Sequence, residues 1–124
     1  MNKKIAEFTD LESWKQSHIL VLLTYKITSK FPYHEKLALS SQMQRAAVSI
    51  TSNIAEGFGR QTLKEKIQFY FLAHGSLTEL KNQLIIAKDL GYTNETTFQE
   101  ATEQLITSQK LLRGLINKTK SFLN

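Results

Sequence analysis

The chain has 124 residues, one proline, no cysteine and a formal charge of +5. That length fits one domain, and a hydrophobic content of 41% supports a packed core rather than a disordered chain. The lack of cysteine excludes a disulfide framework, a thiolate metal site and a cysteine nucleophile and suits a reducing, cytoplasmic compartment, while an isoelectric point near 9.5 points toward acidic partners such as nucleic acid.

The opening MNKKIAEFTD has no apolar run behind its lysines, so no secretory leader is expected, and no stretch approaches the length of a membrane span. Residues 1–9 read as an arm. A first helix is expected over about 10–30, opened by Thr9 and Glu12 at capping-box spacing, with Leu11, Trp14, His18, Val21, Leu22 and Tyr25 on its apolar face. Pro32 ends it, because the residue before proline is pushed out of the α region. A second helix is expected over 36–56, stopped by Gly57.

A third helix, over 63–90, opens with Thr62 and Glu65 and stops at Gly91. Its core face reads Ile67, Tyr70 or Phe71, His74, Leu77, Leu80, Leu84 and Ala87. Gly75 sits in mid-helix, where glycine costs about 1 kcal/mol relative to alanine; a close backbone, near Ala46 or Ala47, is the expected reason. The fourth helix, over 94–122, is capped by Thr93 or Asn94, and Phe98, Ala101, Leu105, Ser108, Leu112, Leu115, Thr119 and Phe122 follow heptad spacing. No strand pattern is present. Four helices joined by short corners predict an all-α antiparallel up-and-down bundle.

The second helix carries an unusual face. Arg45, Ser49, Asn53 and Glu56 form a polar row beside a small apolar stripe of Ala46, Ala47, Ile50 and Ile54. Glu56 lies at the negative end of the helix dipole, where Arg60 or Arg45 is the nearby cation to offset it. With Ser76 and Glu79 of the third helix, the row reads as a structural polar network, the alternative being a ligand-facing row. Phe69 to Leu72 are consecutive and apolar, and Ile106, Leu111, Ile116 and Leu123 lie off the heptad seam. This surplus predicts self-association.

Catalytic chemistry is sparse. His18 and His74 lie on apolar faces and read as core histidines; His34 is a loop residue. Ser49 and Ser76 lie in no nucleophile motif. No metal site, cofactor or enzymatic activity is expected. The basic residues are more informative: Arg60, Lys64 and Lys66 cluster at one corner, and the tail holds Lys110, Arg113, Lys118 and Lys120 with no acid from Lys110 onward. Arg60, Lys64, Lys110, Arg113, Lys118 and Lys120 are the candidate phosphate contacts, with weak sequence preference because no base-reading module is present.

Residues 42–60 (QMQRAAVSITSNIAEGFGR), with Phe69, Ala73, Gly75-Ser76, Glu79-Leu80 and Leu90-Gly91-Tyr92, and with Trp14, Phe31-Pro32 and Glu35 before them, resemble the bacterial four-helix-bundle family also called the 23S rRNA intervening-sequence proteins. The resemblance covers about residues 11–122. Gln44 departs from the family pattern, which has a basic residue there, and so does Thr51, where it has proline or a small apolar residue. The resemblance implies a ring-shaped homopentamer and no established enzymatic activity. A related protein, the accessory variability factor of diversity-generating retroelements, pairs with a reverse transcriptase. The implied partners are therefore other copies of the chain, RNA or DNA, and a protein such as a reverse transcriptase.

Overall fold

The structure, a computed structural model, describes residues 4–123. Four helices, α1 (Glu12–Thr28), α2 (Leu39–Phe58), α3 (Leu63–Asp89) and α4 (Glu95–Ser121), account for most of the chain, and no strand occurs among the described residues. Each helix packs on its two neighbours around a square: α1 on α2 and α4, α3 on α2 and α4, with no diagonal pair and with α2 on α3 the most extensive contact.

Local chemistry sets the ends. Thr62 caps α3 by accepting from the Glu65 N–H at 3.2 Å, and its hydroxyl donates to the Glu65 carboxylate at 2.9 Å. Asn94 caps α4 through the Thr97 N–H at 2.8 Å. Gly91, at φ 79°, lets the Tyr92 N–H return to the Ala87 carbonyl and its own N–H to the Lys88 carbonyl, a Schellman closure of α3.

Three ends differ from the sequence reading. The Thr9–Glu12 box does not form: Asp10 closes a 3-10 turn over Phe8–Asp10 by accepting from the Ala6 and Glu7 N–H groups at 3.0 Å each, so α1 starts after Leu11. The helix α2 starts at Leu39 rather than 36, because Tyr33–Glu35 form a second 3-10 turn and Ala38 is not helical. It also runs through Gly57 to Phe58.

Gly57 is buried inside the helix for a steric reason. A Cβ there would lie 2.7 Å from Tyr70 Cε1 and 3.0 Å from Phe69 Cβ, so α2 and α3 meet at a point that only glycine permits. The close approach expected at Gly75 is absent: Gly75 is exposed, and a Cβ would meet nothing within 4 Å.

The core is formed by Leu20, Met43, Ala47, Ile50, Ile54, Tyr70, Leu77, Leu80, Leu105 and Leu112. On α1 the helical period holds but the phase is rotated. The buried face is Ser13, Ser17, Leu20, Val21, Thr24, Ile27 and Thr28, whereas His18, Leu22 and Tyr25 are exposed. Small hydroxyl residues can face the core because Thr24 donates to the Leu20 carbonyl at 2.7 Å and Thr28 to the Thr24 carbonyl at 2.9 Å. On α3, Ala73 is buried and His74 only half-buried; just past α4, Phe122 is exposed. Of the residues taken as apolar surplus, Tyr70 and Ile116 belong to the core, and Phe71, Leu72, Ile106 and Leu123 remain exposed.

The two glycines should respond oppositely to alanine. Gly57→Ala forces a Cβ against a buried ring and should lower stability by about 1–3 kcal/mol. Gly75→Ala adds helix propensity without a clash and should raise it by about 0.5–1 kcal/mol. Urea midpoints of the two variants check both signs.

Candidate nucleic-acid interface

The up-and-down path brings the start of α1, the α2–α3 corner and the end of α4 to one end of the bundle, where their residues line a common cleft. Arg60, Lys64 and Lys66 come from the corner and Lys118 and Lys120 from the last turns of α4, with Lys110 and Arg113 further back along that helix. Around α4 these cations part company. Lys110 and Lys118 line a cleft of about 660 Å³ with Lys66, whereas Arg113 and Lys120 line a smaller one of about 280 Å³ with Phe71 and His74. Lys110, Arg113 and Lys120, close to one face of α4 by their spacing, thus border two different clefts.

Their availability differs too. Arg60 is engaged, with its guanidinium donating to Glu56 at 2.9 Å and lying 4.5 Å over the Phe69 ring. Lys66 donates to the Phe58 carbonyl and lies over that ring, so it caps the last turn of α2. The Lys120 ammonium sits 4.9 Å above the Phe71 ring. Lys64, Lys110, Arg113 and Lys118 are exposed and pair with no acid among the described residues.

The polar row of α2 is not one network. Asn53 Nδ2 donates to the Ser49 carbonyl at 2.8 Å and to Ser49 Oγ at 3.1 Å, and Ser76 Oγ donates to Ser49 Oγ at 2.9 Å. This half-buried trio links α2 to α3. Glu56 instead pairs with Arg60, and Glu79 accepts from Gln83 on its own helix at 3.0 Å. Arg45 is exposed and makes no hydrogen bond among the described residues.

The histidines lie outside the core. His18 is exposed and stacks on Trp14 at 4.8 Å, His74 is half-buried, and His34 is exposed at the far end. No cluster of three metal-ligating side chains occurs among the described residues.

At the far end lies an arrangement that sequence spacing does not reveal. The Tyr92 hydroxyl donates to Glu35 Oε2 at 2.7 Å, and Glu35 Oε1 accepts from the Leu39 N–H at 3.3 Å at the start of α2. The Tyr92 bond, and then the Leu39 bond, hold the Glu35 carboxyl below its ordinary range, and the same contact with Glu35 pushes Tyr92 up.

The sequence pattern of the 23S rRNA-intervening sequence protein family matches residues 9–114. This chain belongs to that family. A solved structure from Bacteroides thetaiotaomicron, described as a protein of unknown function from the S23 ribosomal protein family, shares the fold of this 23S rRNA-intervening sequence protein with a TM-score of 0.75. The two chains are 20% identical, and the match covers 84% of this chain and 97% of the other. No curated protein matches the sequence.

Two outcomes test these contacts. Asn53→Ala should lower stability by about 1 kcal/mol, because it removes a donor from the half-buried trio, whereas Glu56→Ala, at an exposed pair, should cost at most about 0.5 kcal/mol; equal losses in urea denaturation would contradict this division. The second concerns pH. The folded carboxyl of Glu35 binds its proton less readily than the unfolded one, so its contribution is present above the unfolded pKa and lost as pH falls through the lowered folded value. Tyr92→Phe should therefore be less stable than the parent near neutrality, and the gap should narrow as pH falls into the acid range. Midpoints measured across that range check the sign.

Proposed function

We propose that this 23S rRNA-intervening sequence protein is a non-enzymatic, self-associating module that meets nucleic-acid phosphates through the basic end of its bundle. The observation that carries this reading is topological: the fold sets Lys64 and Lys118 at one end of the bundle and Lys110 and Arg113 further back along α4, none paired with an acid among the described residues. Lys120 and Arg60 lie at the same end as secondary contacts, held respectively on Phe71 and on Glu56. Lysine and arginine contacts to phosphate carry affinity without reading bases, so RNA and duplex DNA should both bind, with weak sequence preference.

Self-association is favoured by the apolar side chains left outside the core, Ile19, Leu22 and Tyr25 on α1 and Phe71 and Leu72 on α3. A closed ring of five, as family resemblance implies, would repeat the basic end once per copy. The same α1 face favours a second reading, an adaptor that recruits a protein partner such as a reverse transcriptase. A cytoplasmic setting suits both; no helix among the described residues is long and apolar enough to cross a membrane.

Fluorescence anisotropy with a labelled single-stranded RNA and a labelled DNA duplex tests the first reading. Affinity should fall steeply with salt, and Lys64→Gln or Lys118→Gln should each reduce the slope of log K against log salt by about 1. Absence of binding at low salt, or binding indifferent to salt, would remove it. A protein partner retained through nuclease treatment would support the adaptor reading.

A further inference from the structure

The cleft lined by α1, α3 and α4 has a composition that phosphate binding does not explain. Its volume, about 660 Å³, is that of a small-molecule site. Leu11, Leu63, Leu111, Leu115 and Phe122 give it apolar walls, and the Tyr70 ring contributes a buried surface. A polyphosphate backbone has no use for such walls. Lys66, Lys110 and Lys118 also line it.

The charge balance inside the cleft is positive. The two carboxylates that line it among the described residues are engaged: Asp10 accepts from the Ala6 and Glu7 N–H groups, and Glu12 lies 3.7 Å from Lys15. Lys66 is tied to the Phe58 carbonyl. Lys110 and Lys118 pair with no acid among the described residues.

Gly114 stands midway between these two lysines, four residues from each, so all three share one face of α4. Glycine inside a helix lowers its stability. Gly114 is exposed, and a Cβ there would meet nothing within 4 Å among the described residues, so packing among them does not require it. Its effect is to leave the space between two unpaired ammonium groups open. Ser13 supplies a further polar group. It lines the cleft, is 4% exposed, and its Oγ has no hydrogen-bond partner among the described residues. A buried hydroxyl without a partner is costly, and a bound acceptor would satisfy it. Burial pushes the Tyr70 phenol up to about 12, so it adds no negative charge.

We propose that this cleft binds an amphipathic organic anion, a carboxylate on an aliphatic body, with the head group between Lys110 and Lys118 and the body against Leu111, Leu115 and Phe122. The probe is decanoate, titrated calorimetrically into the full chain below its micellar range, with decanol as the uncharged control. Decanoate should bind saturably at about one per chain and at least about tenfold more tightly than decanol. Replacing both lysines (Lys110→Gln with Lys118→Gln) should weaken decanoate by about tenfold or more. Gly114→Trp should abolish binding by filling the mouth, with an unchanged or higher melting temperature, while Gly114→Ala should still bind. Non-saturating uptake, equal affinity for decanol, or parental affinity in the lysine double variant would each overturn the proposal. So would a change in sedimenting mass on Gly114→Trp with no decanoate binding to the parent, which would assign the cleft to a second copy of the chain.

Discussion

The bundle depends on the contact between Gly57 and Tyr70. The tyrosine ring occupies the space that any side chain at Gly57 would need, and this lets α2 and α3 make the most extensive contact in the molecule. Because the approach occurs inside α2, the helix does not end there but continues to Phe58, which brings the Phe58 carbonyl and ring to Lys66. The α2–α3 corner, the position of its basic residues and one wall of the cleft beside Tyr70 all follow from a missing methyl group.

The opposite side of the square uses a different solution. Along α1 the buried face is largely Ser and Thr, and α4 answers with Ser108 and Thr119. Threonine hydroxyls return to carbonyls one turn back, so these side chains enter the core without unpaired donors. Ser13, Ser17 and Ser108 lack such a partner among the described residues. Burying short side chains leaves the bulkier Ile19, Leu22 and Tyr25 of α1 facing outward. The apolar surface offered to partners is thus a by-product of how α1 meets its neighbours.

What the sequence discloses is governed by distance along the chain. Thr62–Glu65, Asn94 and Gly91 act on backbone groups a few residues away, so their roles are legible from spacing alone. Rotation of a helix about its axis is decided by neighbours far away in sequence. The α1 period was therefore readable, but not that its Ser and Thr residues face the core. Gly57 reads as a helix stop and Gly75 as the close approach, and only the position of Tyr70 moves that approach to Gly57. Likewise Arg45, Ser49, Asn53 and Glu56 share one face of α2, yet the Ser76 hydroxyl holds Ser49 and Asn53, the Arg60 guanidinium holds Glu56, and Arg45 joins neither arrangement. The basic residues were identifiable by type, whereas which of them are already occupied by rings, carbonyls and acids was not.

The Tyr92–Glu35 hydrogen bond joins residues 57 apart in sequence and fastens the connection 29–38 to the α3–α4 corner. Entropic loss on closing a loop grows with its length, so the short α2–α3 hairpin is the least demanding tertiary contact to make. The latch closes the open end of that same hairpin, because Glu35 precedes α2 and Tyr92 follows α3. Assembly should accordingly proceed from the central hairpin outward, with this phenol–carboxylate clasp holding the ends of α2 and α3 together before the outer helices are required.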